Sequence, residues 1–266
     1  MQVSRSAYYD WRVGGQKPKQ EDVMLKIKVK EIFDKSKNTY GSRRVVKALN
    51  KAGHQVSRFK VKNMMNQLQL KVRYPKRFKV TTDSNHQLEI APNSLNRQFK
   101  PDAPNQVWTT DISYVWTLEG WLYLAVVMDL YSRQIVGWAI NDNMRTSICI
   151  DALKMAFWRK KPSSGLLHHS DRGSQYASTD YRHQLKIMQM NQSMSRKGNC
   201  WDNSPTERFF RSLKYEYLNY LRLTSKEMAK LSIVDYLVFY NGQRMHSVLN
   251  YKTPLEFENE FYKKTA

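Results

Sequence analysis

The chain has 266 residues, which is enough for one large domain or two modest ones. With 41% hydrophobic and 12% aromatic residues it can bury a core, so a wholly disordered chain is excluded. The 44 Lys and Arg residues outnumber the 23 Asp and Glu residues and give a net charge of +21. This excess favours a polyanionic partner, nucleic acid before membrane, but it does not indicate an activity.

The positive charge is concentrated in the first part of the chain. Residues 1–100 hold 23 basic and 7 acidic residues, whereas residues 101–266 hold 21 and 16. We interpret the first segment as a binding module and the second as the part that carries the acids a catalyst needs. The two cysteines, Cys149 and Cys200, are too few for a disulfide framework or a zinc site. The sequence contains no secretory signal and no apolar stretch of about 18 residues, so we expect a cytoplasmic protein.

The basic segment has the spacing of helices. Apolar residues predict a first helix over residues 21–36. A second helix follows, with Ser42 as its N-cap and Gly53 at its end, and a third begins after the cap residue Ser57. Two short helices joined by a glycine-containing turn, the second with a basic outer face, are typical of a helix-turn-helix. A three-helix bundle with a solvated basic face is the alternative, and the excess charge favours DNA contact. The predicted DNA-binding residues here are Arg43, Arg44, Arg58, Lys62 and Asn63.

Residues 71–106 show no sustained hydrophobic periodicity and contain prolines and many basic residues, so we interpret them as a linker that lies on DNA.

From Val107 the pattern changes to that of strands. The side chains of residues 107–116 alternate between a less apolar and a more apolar face, which predicts a first strand. Residues 121–129 are continuously apolar and predict a strand that is buried on both faces. The segment QIVGWAI predicts a third strand.

The rest of the chain alternates between helices and short strands. The predicted elements are a helix over 144–160, a strand at GLLHHSD, a helix near 178–187, a strand near 188–194 and a long helix from about Pro205. Three antiparallel strands followed by such alternation indicate an α/β layer fold with a mixed sheet.

Two aspartates lie where this topology can bring them together. Asp111 is in the middle of the first strand, and Asp171 follows the fourth strand directly. If these strands are neighbours, the two carboxylates and a third acid from a helix form a site for hard divalent cations such as Mg²⁺. Each acid also has a structural alternative: Asp171 fits an Asx-turn, and Asp129 fits a turn anchor, with Arg133 as a partner. Of His168 and His169, on opposite faces of the strand, we expect one to pack beside the site.

The stretch SRKGNCWDNSPTERFFRSLKYE, residues 195–216, offers three further acids, Asp202, Glu207 and Glu216. Ser204 and Glu207 have the S-x-x-E spacing of a capping box, with proline at the first helical position, which is a purely structural explanation for Glu207. We interpret Asp202 as a residue of the preceding loop and Glu216 as a solvated residue.

Glu207 also belongs to a polar stripe. One helical face carries Glu207, Arg211 and Lys214. The carboxylate can therefore point at a metal ion while the two basic side chains lie along a DNA backbone. Trp201, in the loop before this helix, is expected to be a packing anchor.

Several segments of the sequence match a known protein family. VWTTDISYV, LYLAVVMDLYSRQIVGWAI, HHSDRGSQYAS, SMSRKGNCWDNSPTERFFRSLKYE and YNGQRMHSVLNYKTPLEF resemble segments of bacterial insertion-sequence transposases of the retroviral-integrase superfamily. The chain resembles most specifically the second-frame product of the IS three group. There are 59 residues between Asp111 and Asp171 and 35 between Asp171 and Glu207, and the second spacing is that of the family pattern.

The resemblance implies an RNase H-like fold in which Asp111, Asp171 and Glu207 form the catalytic, metal-binding triad. Lys214 matches a basic position on the same helix. The implied domains are a helix-turn-helix-like region at 1–70, a basic linker at 71–105 and a catalytic domain at 106–266.

The resemblance also implies a reaction and partners. Two Mg²⁺ or Mn²⁺ ions would assist cleavage at the ends of the element, and the exposed 3′-hydroxyl would then attack another phosphodiester. The implied partners are terminal-repeat and target DNA, further copies of the chain and an upstream first-frame protein. An RNase H-like nuclease without strand transfer and a non-catalytic DNA-binding regulator are the alternatives.

Overall fold

The computed structural model describes residues 4, 5, 8, 9, 20–73 and 88–265. The chain divides into two compact units, residues 1–73 and 74–266. The predicted linker lies partly outside the described residues, at 74–87. The predicted domain boundaries at 1–70, 71–105 and 106–266 stay predictions.

In residues 20–73 of the first unit, three helices meet through their apolar faces. They are α1 (Gln20–Lys35), α2 (Ser42–Lys51) and α3 (Arg58–Gln67). Ser57 caps α3 as predicted, because its hydroxyl accepts a hydrogen bond from the Lys60 amide at 3.2 Å. The prediction for α2 was wrong by one residue: Gly41 is the N-cap and Ser42 is already helical. The buried residues of the three helices are Leu25, Val29, Phe33, Val45, Leu49, Val61, Met64 and Met65.

The second unit is built on a five-stranded mixed sheet. Its strands are β1 (Val107–Thr117), β2 (Gly120–Asp129), β3 (Ile135–Asn141), β4 (Leu167–Ser170) and β5 (Asn191–Met194). The order is β3-β2-β1-β4-β5, with β1, β2 and β3 antiparallel and β4 parallel to both β1 and β5. The predicted antiparallel meander and the neighbouring first and fourth strands are therefore confirmed.

Helices cover both faces of this sheet. They are α4 (Thr146–Lys160), α5 (Ser174–Ala177), α6 (Thr179–Ile187), α7 (Ser204–Ser212), α8 (Lys226–Gly242) and α9 (Pro254–Thr265). One apolar layer joins the sheet to α7 and α8, and the other joins it to α4, α5 and α6. Strand β2 is buried on both faces, because Leu124 belongs to the first layer and Ala125 to the second.

Helix α7 does not end as a regular α-helix. It continues into a π-helical turn, Leu213–Tyr217, and a 3₁₀ turn, Leu218–Tyr220. The prediction that Glu216 is solvated was wrong. Its carboxylate accepts hydrogen bonds from the buried Arg244 guanidinium at 2.6 and 2.7 Å and from the Tyr236 hydroxyl at 2.9 Å. This ion pair ties the π-helical turn to α8 and to the chain that follows it.

Residues 88–106, which precede β1, pack within the second unit. Leu95 is buried in the layer that contains α7 and α8, and the Phe99 carbonyl accepts a hydrogen bond from Arg133 at 2.6 Å. Asp129 anchors its turn as predicted, because its carboxylate accepts bonds from the Ser132 amide and hydroxyl, both at 2.8 Å.

Candidate active site

The sheet register places the two aspartates side by side. Strands β1 and β4 pair in parallel through Thr109 and His169, so Asp111 and Asp171 each lie two residues beyond a paired position. The Asp111 Oδ1 atom accepts a hydrogen bond from the Ile112 amide at 2.8 Å. The Asp171 Oδ1 atom accepts one from the Gly173 amide at 2.9 Å, so this aspartate also makes the predicted Asx-turn.

The start of α7 is attached directly to β1, which brings Glu207 to the aspartates. The hydroxyls of Thr206 and Thr109 are 2.7 Å apart in a buried contact, and the Asn203 amide donates to the Thr110 carbonyl at 3.0 Å. Residues Thr109 and Thr110 directly precede Asp111. Sequence reasoning did not single out Asn203, Thr206 or Thr109, because small polar residues carry no signal of long-range pairing.

The capping-box explanation for Glu207 was wrong. Ser204 has helical backbone angles, φ −55° and ψ −29°, so it lies inside the helical segment, and Asn203 is the N-cap residue of α7. A side chain in the first helical turn can act as the capping-box partner only when the serine precedes the helix. The structure therefore removes the strongest local structural explanation for this glutamate.

The three carboxylates interact electrostatically. Burial raises the pKa of Asp111 well above its ordinary value, and the charges of Asp171 and Glu207 raise it further. Burial and the Asp171 charge also raise the pKa of Glu207. In the described part of the chain, no three acidic, histidine or cysteine side chains stand close enough to enclose a metal ion.

Lys214 interacts electrostatically with Asp111. Burial lowers the pKa of its ammonium group, and the Asp111 carboxylate opposes this shift. The ammonium nitrogen lies 4.5 Å from the centroid of the Tyr114 ring, a cation–π distance. Arg211, one turn earlier, is exposed.

The segment before α7 is held by a buried carboxylate, so the interpretation of Asp202 as an ordinary loop residue was incomplete. Asp202 has no exposed surface. The hydrogen bonds that it accepts come from Asn93 Nδ2 at 2.9 Å, Arg97 Nε at 2.7 Å, Arg196 N at 3.0 Å, Arg196 Nε at 2.9 Å and Arg196 Nη2 at 2.8 Å. These bonds hold the pKa of Asp202 well below its ordinary value, the pair with Arg196 most of all. The prediction that Trp201 is a packing anchor was wrong, because 69% of it is exposed.

The two histidines of β4 are both buried, one on each side of the strand. The His168 Nε2 atom lies 3.1 Å from the Tyr181 hydroxyl, and burial lowers the pKa of His168 to about 3. The His169 ring nitrogens lie 2.9 Å from the Ser193 hydroxyl and 3.2 Å from the Ser195 hydroxyl, and burial lowers the pKa of His169 to about 4. Both rings are neutral at pH 7 and support the strand.

The predicted DNA-binding residues of the first unit stand largely in solvent. Arg43, Arg58, Lys62 and Asn63 are exposed, and Arg44 is half-buried with its guanidinium 5.5 Å from the centroid of the Tyr40 ring. Their role in DNA binding stays a prediction.

Comparison with known proteins identifies the family. Residues 101–200 match the family model of the integrase core domain, residues 188–254 match a second integrase core model, and residues 19–78 match an HTH-like domain. The chain is 42% identical over 266 residues to the uncharacterized 31 kDa protein of insertion element IS600 from Shigella sonnei, across 99% of this chain and 98% of that protein. It is 36% identical over 264 residues to transposase InsF of insertion sequence IS3A from Escherichia coli K12, across 98% of this chain and 92% of that protein. The chain belongs to the family of IS3 transposases.

The fold agrees with this membership. A chain of a simian T-cell lymphotropic virus intasome, solved with the PP2A regulatory subunit B56 gamma, aligns with a TM-score of 0.53 and 18% identity over 79% of this chain and 69% of that chain. The IS3 transposase therefore has an RNase H-like integrase core preceded by a helical HTH-like region, as predicted. Integrase-core transposases are polynucleotidyl transferases, and the chain is an enzyme of this class. No helix among the described residues is both long and apolar enough to cross a bilayer.

Proposed function

We propose that Asp111, Asp171 and Glu207 are the catalytic carboxylates of metal-dependent DNA cleavage and strand transfer. The observation that carries this proposal is the attachment of α7 to β1 through the Thr206 and Thr109 hydroxyls, beside the parallel pairing of β1 with β4. These contacts bring three acids from three separate elements into one electrostatic group.

The donor set of this group fits a hard divalent cation. Carboxylate oxygens are the ligands that Mg²⁺ and Mn²⁺ prefer, and three acids are enough to share two ions with water and substrate phosphate. Asp111, Asp171 and Glu207 would hold the ions. Burial, and then the charges of Asp171 and Glu207, raise the pKa of Asp111, and a bound cation would offset the repulsion among these charges. Bound ions would supply electrophilic stabilisation of charge on the phosphate oxygens and on the leaving oxygen.

The reaction is two displacements at phosphorus. In the first, water attacks the phosphodiester at the end of the element, a P–O bond breaks, and the leaving 3′-oxygen takes up a proton. In the second, that 3′-hydroxyl loses its proton and attacks a target phosphodiester, and the displaced 3′-oxygen is protonated in turn. The first step hydrolyses one phosphodiester, and the second makes one phosphodiester for the one it breaks, so strand transfer needs no cofactor beyond the metal and no covalent enzyme intermediate.

We assign DNA backbone contacts near the scissile phosphate to Lys214 and Arg211. Both lie downstream of Glu207 on the same helical segment, at one-turn spacing from each other. We assign recognition of the element's ends to the HTH-like region. Its exposed basic and amide residues are Arg43, Arg58, Lys62 and Asn63, with Arg44 half-buried beside them.

The partners follow from the chemistry. Cutting and joining two ends requires at least two active sites, so we propose a dimer or larger assembly on DNA, acting with the upstream first-frame protein or fused to it. The substrate is chromosomal DNA, which places the protein in the bacterial cytoplasm at the nucleoid.

The decisive experiment incubates the purified chain, with and without the first-frame protein, with terminal-repeat DNA and Mg²⁺ or Mn²⁺. Joined products support strand transfer, nicks without joining would favour the nuclease alternative, and retention without cleavage would favour the regulator. Asp111→Asn, Asp171→Asn and Glu207→Gln should each abolish cleavage while DNA retention persists. Asp142→Asn is the matched control, because that carboxylate is 60% exposed. Full cleavage by a folded triad variant would show that the assignment is wrong.

A second measurement does not depend on activity. Mg²⁺ should raise the free energy of unfolding of the wild-type protein with the logarithm of its concentration above the Kd, because it binds only the folded site. Asp111→Asn should lose this increment, whereas Asp142→Asn should keep it. An equal increment in both variants would place the metal elsewhere.

A further inference from the structure

Three aromatic side chains stand together at the outer end of the β1–β2 hairpin. We call Tyr114, Trp116 and Trp121 the aromatic cluster. Trp116 and Trp121 face each other across the two strands with ring centroids 4.8 Å apart, and Tyr114 meets Trp121 edge-to-face at 5.1 Å. These contacts fix the orientation of the rings, so the cluster is a preformed surface.

Hairpin stability alone does not account for the cluster. Trp116 is 56% exposed and Trp121 is 45% exposed, whereas Trp108, earlier on β1, is fully buried. Leu118, in the turn between the strands, is 65% exposed and extends the apolar surface. Contiguous exposed aromatic rings of this size are typical of binding surfaces.

Lys214 connects the aromatic cluster to the acids. Its ammonium group lies over the Tyr114 ring and also interacts with Asp111. Strand β1 pairs with β4 only as far as Thr109, and no other described strand pairs with this edge of β1 beyond that point. Asp111 and Trp116 lie on opposite faces of β1 by strand alternation, so a DNA strand held at the acids would reach the cluster around this unpaired edge, where the Lys214 ammonium could meet its phosphates.

We propose that the aromatic cluster binds an unpaired nucleobase of the DNA strand engaged at the active site, by stacking on Trp116 or Trp121. The proposal rests on the proposed function for the position of the DNA. Every nucleobase has a π-face, so such stacking is tolerant of sequence. It adds to the salt-dependent binding of DNA phosphates by basic side chains. A second copy of the chain is the other possible occupant, and Lys214 at the rim of the cluster favours a polyanion.

The test compares two DNA probes that differ only in unpaired bases. Both contain a 30-base-pair duplex followed by an eight-nucleotide arm that contains 2-aminopurine. The arm is single-stranded in the forked probe and is annealed to its complement in the blunt-ended probe. Binding of the full chain is measured in EDTA. Stacking of one base should make the forked probe bind about 5- to 150-fold more tightly than the blunt one and should quench its fluorescence.

Variants then locate the stacking. Trp116→Ala and Trp121→Ala should each reduce this preference and the quenching, and Trp116→Phe should retain most of both. Trp158→Ala is the matched control, since Trp158 is 68% exposed on α4. An unchanged preference in both alanine variants would overturn the proposal. A fall in oligomer mass with an unchanged preference would overturn it in favour of a second copy.

Photocrosslinking keeps the proposal testable if the variants fail to fold. With 5-iodouracil in the arm, the wild-type protein should be crosslinked within residues 114–121, and crosslinks confined to other segments would refute the idea. The outcome is separable from the proposed function. Asp111→Asn should keep the forked-probe preference, whereas loss of cleavage in that variant tests the catalytic assignment alone.

Discussion

Replacing Asp202 by asparagine removes the charge that holds the segment ahead of Glu207. The carboxylate is fully buried and accepts bonds from Asn93, Arg97 and Arg196. Breaking a buried ion pair costs about 3–5 kcal/mol when the partner charge stays buried. Here the two arginine side chains are 44% and 48% exposed, so water can hydrate them once they are released. We therefore expect the free energy of unfolding to fall by about 2–3 kcal/mol.

The pH dependence has a definite sign. The hydrogen bonds from Arg196, together with those from Arg97, hold the pKa of Asp202 below its unfolded value of about 4. The carboxylate therefore contributes stability above about pH 4, and this contribution is lost as the pH falls further and the folded state is protonated. His169, whose pKa burial lowers to about 4, is neutral at pH 7 and also becomes protonated as the pH falls below about 4. Wild type and Asp202→Asn should differ fully at pH 7 and progressively less below pH 4.

Urea denaturation followed by tryptophan fluorescence measures this difference. Six of the seven tryptophans lie in residues 74–266, so the signal reports that unit. Asp142→Asn is the control, and its exposed, 3.9 Å ion pair should be worth less than about 0.5 kcal/mol. Because Asp202 shortly precedes Glu207 in the chain, strand transfer by Asp202→Asn should fall about 10- to 100-fold. A stability loss below about 1 kcal/mol, with normal activity, would show that the hydrogen bonds of Asp202 do not position the helix.

Three further predictions concern packing and reactivity. Gly137→Ala should destabilise the protein by more than about 2 kcal/mol in the same denaturation assay, because its Cβ would lie 2.2 Å from the Ala152 carbonyl oxygen of α4; stability within 0.5 kcal/mol of wild type would mean that α4 shifts freely. Arg244→Leu should cost about 3–5 kcal/mol by leaving Glu216 buried without its cation, and the double replacement with Glu216→Leu should recover part of the loss in a double-mutant cycle. The Cys149 thiol should resist iodoacetamide at pH 8 until the protein unfolds, as followed by peptide mass spectrometry, because burial raises its pKa to about 12; rapid labelling of the native protein would contradict this.

Sequence reasoning was most accurate where the signal is periodic or local. Alternation predicts the first strand, and the aspartate after the fourth strand needs only the helical crossover to be placed beside Asp111. It was least accurate for single side chains near the site. Trp201 was expected to be buried from its residue type, and the structure exposes it. Glu216 was expected to be solvated from its place on the helix, and the structure pairs it with Arg244, 28 residues further along the chain.

The sequence by itself determined the class of the protein: an excess of positive charge, a helical segment followed by strands, and three acids in words that match a transposase family. The surroundings of each acid depend on residues that are remote in sequence, and only the tertiary structure decided them. Glu207 was open to a capping-box explanation until the fold placed Ser204 inside the helix and bonded Thr206 to Thr109, 97 residues away. A local pattern reports backbone preference, whereas the use of a carboxylate is set by burial and by neighbouring charges, which exist only once the chain is folded.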